Sequence, residues 1–412
     1  MLHKMMPTLL QINTALNSGS TGRIAEGIGL TAKNNGWDCY VAHGSRYKNV
    51  SQLQSVQIGN FFNEIIHGGW YSLLCDYHGL GSIHATECLI KKIDTIIKPD
   101  VIHLHNIHGY YLNYRVLFEY LQTVKVPVVW TLHDCWAFTG HCVHFDLIKC
   151  NKWQTDCFEC PQRTCYPRSL ILDHSFDNYQ LKKRLFASLS GRLTIVPVSN
   201  WLARLVEQSF LKDSRIQVIH NGIDIESFAP SKDVAGLLEK NQIRNKIILG
   251  VAAPWSERKG LLDFIKLRSM LSLSDYTIVL IGLTAKQIAK LPKGIIGFER
   301  TQNIQELAKW YSAASVFFNP TYEDNYPTVN LEAIACGTPV VTYRTGGSPE
   351  AINNTGMVVS QGDLTAAIAA IKELCSEDQD LLRMRCRRYA ELNFDREQCF
   401  RQYLDLYNTI LN

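Results

Sequence analysis

The sequence contains no apolar run close to the roughly 20 residues that a membrane-spanning helix needs. Its formal net charge is only +4 over 412 residues, which argues against a nucleic-acid binder, whose basic residues would form a stripe. The N-terminal stretch has one Lys and a short apolar run broken by Gln11 and Asn13, which favours a buried strand over a signal peptide. We therefore expect a cytoplasmic protein whose thirteen cysteines are mostly reduced.

Apolar residues are abundant, at 46% of the chain, beside 19% charged residues, as in folded globular domains. The length indicates two domains of roughly 200 residues each. Short apolar strands alternate with amphipathic segments, which predicts an α/β fold with parallel sheets. The predicted strands are 8–12, 39–42, 101–105, 128–132, 193–198 and 218–219, and then 247–251, 276–281, 295–297, 316–319 and 339–342. A polar stretch over 225–245 is the predicted linker, and ligands should bind at the carboxyl ends of the strands.

Acidic residues cluster in the stretch NPTYEDNYPTVNLEAIACGTPVV, residues 319–341. A strand ends there, and a helix should begin near Thr328, with Asn325 and Thr328 able to cap it. A helix N-terminus attracts a diphosphate, and carboxylates such as those of Glu323, Asp324 and Glu332 accept hydrogen bonds from sugar hydroxyls. A solvated turn followed by a helix with one hydrogen-bonded Glu is the alternative.

Two adjacent cations precede a helix in GVAAPWSERKGLLDF, residues 250–264. Arg258 and Lys259 stand where a strand–turn–helix junction could hold a diphosphate leaving group, whose negative charge grows in the transition state. An exposed Arg-Lys pair at a helix start is the alternative.

In the first half, glycines and histidines follow predicted strands. Gly19 and Gly22 could let the backbone approach a phosphate or sugar, with Arg23 nearby, although the spacing does not match a dinucleotide fingerprint. His133, followed by Asp134, ends a buried strand and should line the ligand site. The other histidines considered for acceptor contacts are His105 and His108, for which packed or surface positions are the alternative.

Five cysteines lie close together in CVHFDLIKCNKWQTDCFECPQRTCYP. Thiolates at short spacing can form a tetrahedral cage, so the cluster suggests a structural zinc ion. The predicted ligands are Cys142, Cys150, Cys157 and Cys160; disulfides or plain buried thiols remain alternatives. Further on, the run from Lys182 to Arg184 could present a basic face to a membrane, or be an ordinary solvated helix face.

Several of these stretches resemble the retaining glycosyltransferases of family 4. NPTYEDNYPTVNLEAIACGTPVVTYRTGGSPE is similar to the family's donor-binding segment, and the resemblance implies that Glu332 binds the ribose of a sugar nucleotide. The family's first Glu falls on Asp324, with Glu323 one position earlier, so either could contact the donor sugar. Lys259 matches the family's Lys-Gly pair, whereas the family's upstream Arg is missing here, and Arg258 is the candidate replacement.

The resemblance also covers other loops of the site. Gly346 and Gly347 match the small residues that close the donor wall, and VIHNGIDIESFAP is similar to the segment between the family's two domains. The resemblance places Gly19 beside the donor diphosphate and His133 opposite the donor sugar. The predicted catalytic residues are therefore His133, Lys259 and Asp324. Lys259 and Asp324 are also predicted to bind the donor, together with Gly19, Arg258, Glu323, Asn325, Thr328 and Glu332.

The fold implied is GT-B, in which two Rossmann-like domains with parallel sheets face each other across a cleft. Residues 1–230 would bind the acceptor, with a Cys-rich insertion at about 135–167. Residues 231–393 would bind the nucleotide-sugar donor, and a helix over 394–412 would pack back on the N-terminal domain. The insertion is similar to one in colanic-acid and O-antigen transferases.

The activity implied is transfer of a hexose from a nucleotide-diphosphate sugar to a glycan acceptor, on a lipid diphosphate carrier, in surface polysaccharide synthesis. No cofactor is expected in catalysis, no nucleic acid is expected as a partner, and association with the inner face of the membrane is expected. The alternatives are a sugar-nucleotide epimerase or a phosphorylase on the same scaffold, or a sugar-nucleotide-binding protein without catalysis.

Overall fold

A parallel sheet flanked by helices forms the first unit of the chain. The computed structural model describes residues 6–412, so the first five residues of the predicted N-terminal domain lie outside it. The strands are β1 (Thr8–Leu16), β2 (Asp38–Lys48), β3 (Gln54–Gln57), β4 (Val101–Leu104), β5 (Val128–Leu132), β6 (Leu193–Pro197) and β7 (Arg215–Ile216). They pair in parallel in the order β3-β2-β1-β4-β5-β6-β7. The order reverses direction between β1 and β4, which makes the loops after these two strands the expected ligand site.

The helices of this unit connect successive strands. They are α1 (Gly19–Asn34), α2 (Phe61–Ile66, continued as a wider π-type turn over His67–Leu74), α3 (Ile83–Lys92, continued over Ile93–Ile97), α4 (Tyr114–Thr123), α5 (Ser175–Ala187) and α6 (Asn200–Glu207). Every residue of β4, β5 and β6 is buried. Helices therefore cover both faces of the central strands, which explains why these strands are continuous apolar runs.

The second unit repeats the same plan. Its strands are β8 (Lys246–Val251), β9 (Tyr276–Ile281), β10 (Ile295–Phe298), β11 (Val316–Asn319), β12 (Val340–Tyr343) and β13 (Gly356–Val359), paired in the order β10-β9-β8-β11-β12-β13. Its helices are α7 (Ala235–Lys240), α8 (Leu261–Met270), α9 (Ala285–Ile288), α10 (Ile304–Ala313), α11 (Thr328–Ala335), α12 (Leu364–Leu374) and α13 (Gln379–Asn393). Here the order reverses between β8 and β11. The prediction of an α/β protein with two parallel-sheet domains is confirmed.

The boundaries differ in places from the predicted ones. One unit contains residues up to His220 together with Cys399–Asn412, and the other contains Asn221–Gln398. The change of unit thus comes before the predicted boundary at residue 230, and the predicted linker contains α7. The strand predicted at 218–219 is wrong, because the last strand of the first sheet is the short β7. Strands β3 and β13 were missed; β3 is short and mostly exposed, so it lacks an apolar run.

The terminal helix α14 (Arg396–Leu411) completes the core of the first unit. Phe400, Tyr403 and Tyr407 belong to the same buried cluster as the apolar residues of β1, α1 and β2. The Tyr407 hydroxyl lies 2.6 Å from His103 Nδ1 on β4. The helical spacing of these aromatic residues is therefore explained by one buried face.

Removing the Phe400 ring should destabilise the first unit. Phe400 is only 4% exposed, and its ring packs where a Cβ on Gly27 would stand. We expect Phe400→Ala to lower the free energy of unfolding by about 3–5 kcal/mol, as for other buried Phe residues, measured by urea unfolding. Leu411→Ala on the same helix, at a residue 41% exposed, is the matched control and should change it little; equal effects would contradict the packing described.

Candidate functional site

In the second unit, the loop after β8 is held against the loop after β11. Gly260 adopts φ +74° at the start of α8, a conformation that favours glycine. A Cβ on Gly260 would overlap the carbonyl oxygen of Pro320. The glycine after Lys259 is therefore required for two backbone reasons, and it brings the Arg258–Lys259 pair to the reversal point of the sheet.

Polar contacts join these two loops. The Lys259 ammonium lies 2.5 Å from Asp324 Oδ2, and the Arg258 guanidinium donates a hydrogen bond to the Glu323 carbonyl oxygen at 2.6 Å. The Tyr322 N–H donates to the Arg258 carbonyl at 2.7 Å. The structure thus brings the predicted cations to the loop that carries Glu323 and Asp324. It also shows that Arg258 helps to hold the loops in place, because its guanidinium contacts backbone.

The two adjacent acids lie in different environments. Glu323 is only 4% exposed, whereas the Asp324 side chain is partly exposed and paired with Lys259. Behind Asp324, Gly346 has φ +52°, and a Cβ there would overlap the Asp324 carbonyl oxygen. The glycines that follow β12 therefore allow the Asp324 loop to approach closely, and Asp324 is the acid that the geometry presents beside the cation.

Glu332 on α11 has a protein partner that the sequence did not indicate. The hydroxyl of Tyr311, on α10, donates to Glu332 Oε2 at 2.9 Å. Burial, with the Glu332 charge, raises the pKa of Tyr311 well above its usual range, so the hydroxyl stays protonated and can donate. Tyr311 thereby stabilises an acid within an otherwise apolar helix and fixes one of its oxygens.

The predicted capping of α11 is wrong. Its first helical residue is Thr328, and the residue before it is Pro327, which has no side chain able to cap. Asn325 lies further upstream and is buried. The N-terminal N–H groups of this helix are therefore not served by the Ser/Thr/Asn type of cap that the sequence suggested.

A tyrosine pair behind the Asp324 loop was also missed. The hydroxyls of Tyr322 and Tyr343 both donate to Asp263 Oδ2 at 2.8 Å. Asp263 lies on α8 and is buried. These bonds link the residue before Glu323 to the helix that follows Lys259, so they position both loops. Because the three residues are far apart in the chain, no local sequence pattern predicts these hydrogen bonds.

In the first unit, the loop after β1 starts α1 at Gly19. Gly19 has φ +65°, and a Cβ there would meet no atom within 4 Å. Glycine is therefore favoured by the backbone conformation, and the space beside it is open. Arg23 is exposed on the next turn, whereas Gly22 is buried against Ala15.

The histidines after β4 and β5 form a hydrogen-bonded chain. His105 Nε2 lies 3.0 Å from Gln11 Oε1, and His105 Nδ1 lies 3.3 Å from His133 Nε2. Because the amide oxygen only accepts, His105 carries its proton on Nε2 and accepts at Nδ1. His133 therefore carries its proton on Nε2, and its Nδ1 has the lone pair. Burial lowers the pKa of His133 to about 4, so the ring is neutral at physiological pH.

Acidification should destabilise the protein through these buried histidines. Burial lowers the pKa of His103 to about 3 and that of His133 to about 4, from 6.5. The unfolded chain takes up these protons as the pH falls through 6.5, whereas the folded protein does not until the lower values. The free energy of unfolding should therefore decrease as the pH falls from 6.5 towards the lowered pKa values of these histidines. His141, whose pKa is raised by Asp76 despite burial, acts in the opposite direction.

The measurement is the urea unfolding midpoint at neutral pH and at about pH 5. We expect a lower midpoint at the acidic pH, and a smaller decrease for His133→Gln, which removes one titrating ring but keeps a side-chain N–H donor. His84→Gln, at an exposed histidine, should leave the decrease unchanged. A midpoint independent of pH would contradict the buried, neutral histidines.

A second group of polar side chains extends this site. His108 Nε2 lies 2.8 Å from Asp134 Oδ2, and His108 Nδ1 lies 3.1 Å from the Tyr166 hydroxyl. Burial alone would raise the pKa of Asp134, but His108 and the Trp136 N–H lower it to about 2. Asp134 is thus a carboxylate at physiological pH. Tyr166, which the sequence did not single out, comes from the Cys-rich insertion.

The four cysteines predicted to bind zinc line one small cavity of about 10 Å³. The thiols of Cys142 and Cys160 are hydrogen-bonded to each other, and none of the thirteen cysteines, all within residues 6–412, forms a disulfide. A zinc cage needs its sulfurs close together around one point. Within residues 6–412, no three cysteine sulfurs lie within 4.8 Å of one another, so the four thiols do not form the predicted cage.

Three other ligand-type side chains do meet within 4.8 Å, namely Asp76, His78 and His141. They are bonded to protein groups instead. His141 Nδ1 lies 2.6 Å from Asp76 Oδ1, and His78 Nδ1 accepts the indole N–H of Trp136 at 2.9 Å. His78 therefore keeps its proton on Nε2, which faces the Gly140 carbonyl oxygen at 3.3 Å. This buried network links the Cys-rich insertion to the loop between the helical segment that ends at Leu74 and α3.

The predicted basic face on α5 is wrong at its first residue. Lys182 is fully buried, and its ammonium donates to the carbonyl oxygens of Trp136 and Thr139 at 2.9 and 3.0 Å. It also lies 3.5 Å from the centre of the Trp136 ring. Lys183 and Arg184 are exposed, so the surface carries two of the three cations.

Comparison with known proteins identifies both units. Residues 33–227 match the family model "Glycosyltransferase Family 4", and residues 245–377 match "Glycosyl transferases group 1". The chain belongs to these glycosyltransferases. It is 28% identical over 278 residues to a putative colanic acid biosynthesis glycosyl transferase, WcaC, of Escherichia coli (strain K12). That alignment covers 65% of this chain and 65% of WcaC, slightly less than two thirds of that relative's length.

Solved glycosyltransferase structures share the fold. Sucrose-phosphate synthase from Thermosynechococcus elongatus superposes with a TM-score of 0.72 at 16% identity, over 98% of this chain and 99% of that one. HepE of Anabaena, in complex with UDP-glucose, superposes with a TM-score of 0.64 at 15% identity, over 98% and 99%. The predicted GT-B fold class is thereby confirmed. Over residues 6–412, the structure contains no helix with the length and apolarity to cross a bilayer.

Proposed function

We propose that the protein is a retaining glycosyltransferase that moves a hexose from a nucleotide-diphosphate sugar to a glycan acceptor. The observation that carries this proposal is the contact between Lys259 and Asp324, at 2.5 Å, where the strand order of the second sheet reverses. Such a reversal is where doubly wound sheets bind ligands. A cation and an acid side by side at this point suit the diphosphate and the hydroxyls of one donor.

The donor would be held by the second unit. Lys259 would contact the diphosphate, Asp324 the hydroxyls of the sugar, and Glu332 the ribose. The Tyr311 hydroxyl donates to one oxygen of the Glu332 carboxylate, so the orientation of this carboxylate would be fixed when the ribose diol binds. The other donor-binding candidates lie in the loops after β8 and β11 and at the start of α11, namely Arg258, Glu323, Asn325 and Thr328. Arg258 would act mainly through the backbone of Glu323.

In the reaction we propose, the bond between the anomeric carbon and the diphosphate oxygen breaks while the acceptor oxygen bonds to that carbon on the same face. The departing phosphate oxygen takes the proton of the acceptor hydroxyl. Negative charge grows on the diphosphate, and the Lys259 ammonium stabilises it, which lowers the barrier because this charge is larger in the transition state than in the ground state. We expect no requirement for a divalent cation at the reacting atoms.

The first unit would bind the acceptor and contribute His133. Burial keeps His133 neutral, and the hydrogen-bond chain from Gln11 through His105 places the proton of His133 on Nε2. The imidazole is therefore not expected to supply positive charge, and His133 is the candidate of this unit for contact with a hydroxyl of the donor sugar. Gly19, where the backbone is open, is the candidate for contact with the diphosphate.

The biological role we propose is synthesis of a surface polysaccharide, such as O-antigen, capsule or exopolysaccharide, on a lipid-linked acceptor at the inner face of the membrane. The colanic acid relative supports this role. HepE binds UDP-glucose, which supports a nucleotide-sugar donor here without fixing the base or the sugar.

The test is a panel of sugar nucleotides incubated with and without lipid-linked and soluble glycan acceptors, with products read by mass spectrometry. Transfer that depends on the acceptor and keeps the anomeric configuration of the donor supports the proposal. Inversion of that configuration would overturn the retaining mechanism. An epimerised donor formed without acceptor would indicate an epimerase, and donor binding without turnover would indicate a binding protein.

A further inference from the structure

An apolar surface lies on the outer side of the helical segment Phe61–Leu74, in the first unit. The side chains of Phe61, Phe62, Ile65, Ile66 and Trp70 are between 44% and 74% exposed. Their positions repeat at helical spacing, so they share one side of the segment. Single exposed apolar residues are common, but a group of five on one helix face marks an interaction surface.

The opposite side of this segment is polar and buried, which is the reverse of an ordinary surface helix. Glu64 is ion-paired with Arg46 at 3.1 Å. His67 Nε2 accepts a backbone N–H at 2.9 Å, and Ser72 Oγ donates to a backbone carbonyl at 3.4 Å. Because these polar side chains are bonded inside the protein, the orientation is fixed and the apolar residues face outward.

A second segment extends this surface. The Leu170 N–H donates to the Leu73 carbonyl oxygen at 2.8 Å, so the chain after the Cys-rich insertion runs beside the end of the helical segment. Leu170, Ile171 and Leu172 are 47%, 61% and 44% exposed. We call these three residues and the five on the helix the apolar face.

Arginines flank the apolar face. Residues 58–75 contain a single acid, Glu64, which is buried, and residues 163–172 contain none. Arg168 is exposed two residues before Leu170, and the Arg46 guanidinium lies 5.2 Å from the centre of the Phe61 ring. The acid that follows Leu172, Asp173, is exposed, and its carboxylate accepts the backbone N–H of Cys160 at 2.6 Å. A surface with exposed aromatics, aliphatics and arginines is complementary to an anionic bilayer.

The apolar face is also continuous with the polar group that extends the candidate site of this unit. Tyr166, two residues before Arg168, places its hydroxyl 3.1 Å from His108 Nδ1, and its ring lies 6.0 Å from that of Tyr110. A sugar held near His108 on a lipid carrier would thus have its lipid end close to the apolar face.

We propose that the apolar face is the surface by which this protein lies on an anionic lipid bilayer, with the aromatic and aliphatic side chains among the lipid headgroups and the arginines at the phosphates. The choice of a bilayer as partner rests on the proposed function, since a lipid-linked acceptor must be reached at a membrane. A second copy of the chain is the competing occupant.

The experiment is flotation of the full-length protein with vesicles of phosphatidylethanolamine and phosphatidylglycerol, and with vesicles of phosphatidylcholine alone. We expect binding to the anionic vesicles, and at least about a tenfold lower bound fraction for Phe62→Ser/Trp70→Ser, since each substitution removes apolar area that would be buried in the bilayer. Arg168→Gln should reduce binding to anionic vesicles and leave the weak binding to neutral ones unchanged.

The matched control is Met384→Ser/Leu392→Ser, at residues of similar exposure, 63% and 66%, in the second unit. It should bind vesicles like the unmodified protein. Equal binding by Phe62→Ser/Trp70→Ser and the unmodified protein, or no binding to anionic vesicles at all, overturns the proposal. So does a dimer in light scattering that Phe62→Ser/Trp70→Ser converts to a monomer.

Sugar-nucleotide affinity and transfer to a soluble acceptor separate this proposal from the proposed function. Both should be unchanged in Phe62→Ser/Trp70→Ser, whereas transfer to an acceptor embedded in vesicles should fall. If the chain binds vesicles but transfers no sugar from any donor, the proposed function fails and the docking surface stands.

Discussion

Replacing Lys259 with Ala should reduce kcat for sugar transfer by about 10²–10³-fold, the usual effect of removing one preorganised group that stabilises transition-state charge. Lys259 is the cation closest to Asp324, and its ammonium would act on the diphosphate as that group departs. The loss should therefore appear mainly in kcat, with a smaller change in KM, in assays that separate the two.

The folded structure should survive this change, because Gly260, and not the Lys259 side chain, holds the loop against Pro320. Lys290→Ala, at an exposed lysine of the same unit, is the control and should transfer sugar at the normal rate. Near-normal turnover by Lys259→Ala, with the unfolding midpoint unchanged, would exclude Lys259 from the leaving-group role.

Asp324→Asn should lower kcat/KM by about 10–100-fold, the effect of losing a hydrogen bond between a charged group and a sugar hydroxyl. Glu323→Gln should change it by no more than about threefold, because Glu323 is buried and the Arg258 bond is to its backbone carbonyl. Comparing these two variants shows which of the neighbouring acids, Glu323 or Asp324, contacts the donor sugar, a question that the sequence left open.

The double variant Lys259→Ala/Asp324→Asn adds a test of coupling. Because the two side chains are in contact, their effects should not add, and the double variant should lose less activity than the product of the single losses. A large loss in Glu323→Gln with a small one in Asp324→Asn would reverse the assignment and make Glu323 the sugar-binding acid.

The regular parts of this fold were readable from the sequence because they depend on local pattern. Apolar strands such as β11 and β12 are buried on both faces, so their composition alone reveals them. The Lys259-Gly260 junction was equally readable, since the positive φ of Gly260 is a local backbone requirement. These features need no knowledge of distant contacts.

The remaining features depend on side chains that meet only after folding. Tyr311 reaches Glu332 from another helix, and Lys182 sits under Trp136 although its own stretch of sequence looks like a solvated face. The cysteine spacing allowed a zinc cage, but the spacing of residues in an irregular insertion does not fix where the sulfurs point. Likewise, the buried side of Phe61–Leu74 is polar, which inverts the assumption that apolar residues face inward.

The terminal helix α14 has a consequence for how this chain can be divided. Its aromatic residues complete the core around β1 and α1, yet in chain order it follows the entire second unit. A fragment that stops at His220 would therefore lack part of its own interior. During synthesis, the first unit would wait for the second to be translated before its core could close, and a permuted gene that joins α14 to β1 would remove that delay.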